Sequence, residues 1–532
     1  MKKLLLGAAV TAAMIGGNAQ AAITVDSNGI PVINTATTYE VYLSGASAMA
    51  GFIEQLLLNS SIPAANRICD SAKLIYKFQD TATLGKDYKA YLCELNTKNS
   101  ALSSLAASKP NLLLYKRDNG GSAQGVAPVI AEAAIDFLKV DTAANCAKVS
   151  DGTIGSVFTK INCTFTAGNS AFSNSKIPDF GVSDVDPLQF RGDNTPSGFA
   201  EVTEADLDKL NVTPAATQIF GMAVTKKLRN ALQQAQFGSS SACSTNATKR
   251  ELLECMPSLT SAQIASIFTG KITSWRQFKL PTGGNLFDNT SAANKPGSDR
   301  LHICRRTSGS GTGAQLTVKF LGYPCNSVAS APVTDTGATP ESIDAAQVHA
   351  MSSSGTVSEC LTELDQGVDT IGTSFSNTYG VRWALGAQGS ELNNTNTSDW
   401  RFVKIDGFEP SLDKVARGKY KDWVELTFQT NKSHAFDTNE KALINEIIKA
   451  AGNPVVLSAT NKAAKHTWGQ SGFMAAPLFY NPASNGAVSL TKPVNPFSHA
   501  TIESGSTEAQ DVNNCRMPAV YDLGTSRGIQ VK

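Results

Sequence analysis

Three times in its first 184 residues, the chain runs from a short apolar stretch straight into a turn of small residues bearing serine or aspartate. Glu40-Val41-Tyr42-Leu43 ends in Ser44-Gly45-Ala46-Ser47-Ala48. Asn111-Leu112-Leu113-Leu114-Tyr115 leads to Asn119-Gly120-Gly121-Ser122-Ala123-Gln124-Gly125, and Pro178-Asp179-Phe180-Gly181-Val182 stops at Ser183-Asp184. Helical spacing follows the first two, over 49–58 and 126–138. Strand–turn–helix repetition of this kind leaves few architectures open. It predicts an α/β sheet with ligands at the C-terminal ends of its strands.

A second concentration of chemistry lies at Arg305-Arg306-Thr307-Ser308-Gly309-Ser310-Gly311-Thr312-Gly313, ahead of a helical pattern over 314–321. Glycines there let several N–H groups point inward, hydroxyls add donors, and Arg306 offers a bidentate fork to a tetrahedral oxyanion. Alone, such a stretch is as readily a solvated loop.

At 532 residues the chain exceeds what one hydrophobic core serves, so two or more lobes are expected. A second lobe begins near Gln218-Ile219-Phe220-Gly221, a helix capped by Thr260 runs to Phe268, and 402–407 reads as strand and turn. The stretch 331–352 reads as a surface excursion, and residues beyond about 430 as an extension rich in Asn, Ser and Pro. The net charge of +1 and the absence of a basic, aromatic-interleaved stripe exclude nucleic acid as a partner.

Met1-Lys2-Lys3, the apolar run after it and Ala19-Gln20-Ala21 have the three parts of a secretory signal peptide cleaved after Ala21. No later run is long enough to cross a bilayer. The expected product is exported without membrane insertion, to the periplasm or, alternatively, secreted. Ten cysteines without a C-x-x-C pair fit disulfides. Near neighbours suggest Cys69–Cys93, Cys146–Cys163 and Cys243–Cys255, and leave Cys304, Cys325, Cys360 and Cys515 open.

In this order, the motifs resemble the phosphate-binding proteins that serve ATP-driven (ABC) phosphate importers, within the type 2 periplasmic binding-protein fold. Residues 43–48 are similar to that family's first glycine-rich anion loop, 121–125 to its second, and 179–184 to its F-G-x-S-D segment. Ile267-Phe268-Thr269-Gly270-Lys271-Ile272-Thr273-Ser274-Trp275 is similar to I-F-x-G-K-I-x-x-W, and 305–312 to R-R-x-x-G-S-G-T. Gly367-Val368-Asp369-Thr370-Ile371-Gly372 and Ile405-Asp406-Gly407-Phe408-Glu409-Pro410 fit as well.

The resemblance implies a two-lobed α/β protein with long insertions and a C-terminal extension. The expected plan is a signal peptide over 1–21, a first lobe over 22–217, a second over 218–390, and a return over 391–532. It implies that phosphate, or a similar oxyanion such as arsenate, is held by Ser47, Ala48, Met49, Ser122 and Asp184 from the first lobe. Arg306, Ser310, Gly311 and Thr312 would hold it from the second. A carboxylate at Asp184 has only lone pairs to offer, so it favours a protonated anion over sulfate. Two positions depart from the family: Ser308 stands where an Asp often holds the arginine, and Met49 where a hydroxyl commonly meets the anion.

Other chemistry finds little footing. His302, His349, His434, His466 and His499 show no metal-ligand spacing, and there is no nucleophile elbow or P-loop. The expectation is therefore a solute-binding protein, not an enzyme, with no cofactor or metal and an ABC permease as partner. The alternative is a secreted or surface interaction protein that keeps the fold but binds other partners.

Overall fold

The structure, a computed structural model, describes residues 23–140, 144–333, 345–368, 379–477, 489–502 and 509–520. The proposed signal peptide and part of the 367–372 motif lie outside them. No helix among the described residues is long and apolar enough to cross a membrane.

In chain order the strands are β1 (Thr38–Gly45), β2 (Ile75–Asp80), β3 (Tyr88–Glu94), β4 (Asn111–Arg117), β5 (Ile135–Leu138), β6 (Cys146–Ile154), β7 (Ser156–Cys163), β8 (Ser173–Lys176) and β9 (Phe180–Ser183). They continue with β10 (Leu210–Thr225), β11 (Ser258–Leu259), β12 (His302–Arg306), β13 (Gln347–Met351), β14 (Ala384–Gly389), β15 (Trp400–Ile405), β16 (Trp423–Asn431) and β17 (Phe473–Ala475). One continuous path of hydrogen bonding runs β13-β12-β14-β10-β16-β9-β1-β4-β3-β2-β7-β6. The two largest of its apolar cores mark two lobes. One gathers Val41, Leu43, Leu112, Leu114, Phe180, Val182 and Phe428; the other gathers Ile219, Val224, Ile267, Phe268, Trp275, Ile303, Leu385 and Val403.

The lobes are joined by β10. Its first half pairs antiparallel with β16 from Leu210↔Asn431 to Ile219↔Trp423, and its second half pairs with β14 and β15. The β16 register slips between Pro214 and Ala216, where proline has no N–H to give the ladder. The molecule is thus an α/β protein of two lobes, the class the motifs imply.

The chain's path departs from the sequence reading in four places. Residues 391–422 do not return to the first lobe: β15 pairs with Met222–Thr225, and Leu412, Val415 and Tyr420 fill the second core, so the return is β16. The helix expected over 126–138 is only Ala127–Ala131. Glu132 turns left-handed (φ 48°) and β5 follows, paired with β8. Within 331–352, β13 is a buried strand rather than surface. Beyond 430, helices Thr438–Ala451 and Pro454–Ala463 bury Leu443, Ile444, Ile447, Val456 and Leu457 in the first core, so this stretch is structural.

The three neighbouring cysteine pairs are disulfides as expected. The open four pair as Cys304–Cys360 and Cys325–Cys515.

Candidate oxyanion site between the lobes

Strand β1 lies between β4 and β9, parallel to both, so the three small-residue turns leave the sheet side by side. Their backbones close so tightly that only glycine fits. A Cβ on Gly45 would stand 2.0 Å from the Val182 carbonyl oxygen, and one on Gly181 would stand 1.7 Å from that of Gly125. The Ala46 N–H donates to the Val182 carbonyl (2.9 Å) and the Ser44 hydroxyl to that of Gln124 (2.7 Å). Ser47–Met49 form a buried 3₁₀ turn on this platform. The Ser47 Oγ is buried there without a partner. Beside it in the fold, Ser122 Oγ accepts the Asp184 N–H at 3.2 Å.

From the second lobe, β12 delivers Arg306 and the loop that follows. Gly309 adopts φ +86°. Ser310 caps the helix Gly311–Leu316 by accepting the Gly313 N–H at 3.2 Å. A Cβ on Gly311 would sit 2.4 Å from Ser122 Oγ and 2.7 Å from Asp184 Cβ, so this glycine is where the lobes touch. Thr312 Oγ1 donates to Asp184 Oδ2 (3.0 Å), and the Ala123 N–H donates across the gap to the Gly309 carbonyl (2.8 Å). Ser122, Asp184, Gly311 and Thr312 therefore meet directly. Ser47, Ala48 and Met49 border them through the glycine platform, and Arg306 and Ser310 flank Thr312 on its own loop.

Asp184 is almost wholly buried, and burial pushes its carboxyl up to about 6. Arg306, Thr312 and Lys116 pull the other way. Its Oδ1 has no hydrogen-bond partner. Burial draws Arg306 down to about 10 against Asp184, Asp118 and Asp87, leaving the guanidinium charged at neutral pH. Its nitrogens donate to the Met351 carbonyl (3.3 Å), the Ser354 hydroxyl (3.3 Å) and the Ser352 carbonyl (2.9 Å). Among the described residues, neutral oxygens rather than a carboxylate hold it. The Ser308 hydroxyl donates to the Asp193 carbonyl at 2.7 Å, tying its loop to the first lobe.

Lys116 was missed by sequence reasoning. It is buried at the end of β4, donates to the Gly45 carbonyl (2.8 Å), and is ion-paired to Asp118 (2.6 Å), which also pairs with Lys89 (2.7 Å). A lysine directly after the apolar run Leu112-Leu113-Leu114-Tyr115 was the available signal. The scattered histidines also hid a pair: β12 and β13 set His302 Nδ1 2.9 Å from His349 Nε2. A cavity of about 430 Å³ flanks the loop, bounded by Asn194, Arg305, Arg306, Ser308, Thr312 and Thr317. It includes neither Ser122 nor Asp184.

No protein-family model matches the chain, and no curated protein sequence matches it significantly. Solved structures do show likeness. One, from Clostridium perfringens, is assigned as a phosphate ABC transporter substrate-binding protein and holds phosphate. It is 14% identical, with 77% of this chain and 93% of that one covered and a TM-score of 0.35. PfluDING, described as a high-affinity periplasmic phosphate-binding protein and solved with phosphate, is 9% identical over 77% of this chain and 84% of its own, TM-score 0.35. A possible phosphate-binding protein of Planctomyces limnophilus is 11% identical over 78% and 99%, TM-score 0.28. At these values the likeness bears no weight on ligand or partner.

Proposed function

We propose that this is an exported solute-binding protein that takes inorganic phosphate, or the similarly shaped arsenate, between its lobes without forming a covalent bond. It would act in the periplasm and pass its ligand to an ABC importer. One observation carries the reading: Asp184 is a buried carboxylate with an unpartnered oxygen, at the point where the lobes meet and within the field of Arg306 and Lys116. An acceptor-only group in that position is answered by a protonated oxyanion, while the remaining charge falls to the two cations. Sulfate, fully ionised, would set charge against charge. Contacts from both lobes make closure and binding one event.

Calorimetry with phosphate, arsenate and sulfate tests this. Heat with the first two and none with sulfate is expected; no heat with any of the three, in folded protein, refutes it.

A further inference from the structure

The C-terminal segment touches three parts of the molecule within a few residues. His499 Nδ1 lies 2.5 Å from Glu425 Oε2 on β16, the strand that carries the chain back between lobes. The Glu425 Oε1 accepts the His499 N–H at 2.8 Å. The other ring nitrogen of His499 lies 2.6 Å from Lys319 Nζ of the second lobe, and its ring packs on Trp423. Ala500 then pairs with Val512, and the Asn513 N–H returns to the His499 carbonyl. Next along the chain, Asn514 and Asp186 exchange two hydrogen bonds: Asp186 N–H to Asn514 Oδ1 (2.8 Å) and Asn514 N–H to Asp186 Oδ2 (2.7 Å). Both residues are buried, and Asp186 belongs to the first lobe, two residues from Asp184. The following residue, Cys515, is disulfide-bonded to Cys325 of the second lobe, 190 positions away.

Separating the lobes moves Cys325 away from Asp186. Because Cys515 adjoins Asn514, that motion must break the two Asn514–Asp186 hydrogen bonds, leaving the Asp186 carboxylate only its partners within the first lobe, Leu188 N–H and Gln189 Nε2. The same face carries a parallel contact, Asp193 N–H to Tyr323 Oη (2.6 Å), two residues before Cys325. Of the five disulfides, Cys325–Cys515 alone has both cysteines partly exposed; each of the other four has at least one fully buried cysteine.

We propose that residues 497–499 and 512–515 form a latch that holds the cleft closed, and that opening the Cys325–Cys515 disulfide releases it. Release is a two-electron exchange with a dithiol. The S–S bond breaks, each sulfur takes up a proton, and the reductant closes its own disulfide. With Cys515 freed, the lobes part without dragging Asn514 off Asp186. The device concerns lobe motion and holds whichever solute occupies the cleft.

The test is hydrogen exchange without any ligand, so its outcome is independent of phosphate binding. In Cys325→Ser/Cys515→Ser, the amides of 121–124 and 309–313, which include the cross-lobe Ala123 and Gly309 bonds, should exchange about tenfold faster or more. Those of 41–44 and 111–116 should not change. Asn514→Ala, with the disulfide intact, should loosen the same loops. Unchanged loop exchange in both variants overturns the latch, as does equal loosening of the strands. Under a limiting dithiol, alkylation should mark Cys325 and Cys515 first; another pair opening earlier removes the release step.

Discussion

A carboxylate buried as deeply as Asp184 keeps its charge only while something nearby answers it, and here the answer comes from Arg306, Thr312 and Lys116. Asp184→Asn exchanges one lone-pair oxygen for a donor, so sulfate should gain affinity relative to phosphate. Unchanged selectivity in competition calorimetry would contradict the assigned role. Its folded value of about 6 implies that acid has the same effect: below that pH the carboxyl carries its own proton, and discrimination against sulfate should narrow.

Ser308 is a second residue-scale test. Because the Ser308 hydroxyl is turned to the Asp193 carbonyl and not to Arg306, Ser308→Asp would not meet the Arg306 guanidinium. It would instead place a charge against the Asp193 carbonyl. Phosphate affinity should fall, and a gain would show that Arg306 is misaimed in the native protein. Gly311→Ala puts a methyl on Ser122, an overpacking of about 1–3 kcal/mol felt only by the closed lobes. Affinity should drop about tenfold or more, and the latched, ligand-free protein should also melt at a lower temperature.

At the scale of elements, the three strand–turn units were legible because each is local: apolar run, glycine, hydroxyl or carboxylate. Which turns become neighbours was not, since the order β9-β1-β4 is a property of the sheet. Lys116 escaped notice because a buried lysine is explained only by its partner Asp118 and the Gly45 carbonyl. The helix reading of 126–138 failed because apolar spacing cannot distinguish a short helix plus strand from one long helix; Glu132 and the β5–β8 pairing decide it. The stretch after 430 reads as polar extension by composition, yet its two helices present apolar faces to the first core. The Cys304–Cys360 disulfide ties β12 to the helix Ser354–Gln366, whose first residue holds Arg306. Replacing both cysteines by serine should cost about 2–4 kcal/mol in thermal unfolding and weaken anion binding as well. Lost stability with binding unchanged would detach that disulfide from the site.

For the molecule as a whole, burial raises several carboxyls: Asp179, Glu391 and Asp422 to about 7, and Asp184 and Asp186 to about 6. Each binds its proton more tightly folded than unfolded, so each subtracts stability as pH rises from its ordinary value to its folded one. His466, drawn down by burial to about 4, and His499, also lowered, act oppositely up to about pH 6.5. For Glu425, burial works upward, but His499 and Ser498 hold it at about 2, so its contribution is already complete above its ordinary value. The five carboxyls outweigh the two histidines. The ligand-free protein should therefore melt at a higher temperature at pH 5 than at pH 7.5, and a higher melting temperature at pH 7.5 would contradict the assignment of these buried groups.

We propose that the two lobes make one oxyanion site whose selecting group is Asp184. A crystal structure grown with phosphate tests it most directly. The anion is expected between the lobes, with one oxygen within hydrogen-bond distance of Asp184 Oδ1 and others on Arg306, Ser47 and the Ser310–Thr312 loop. An anion seated only in the flanking cavity beside Arg305, or away from Asp184 altogether, would contradict it.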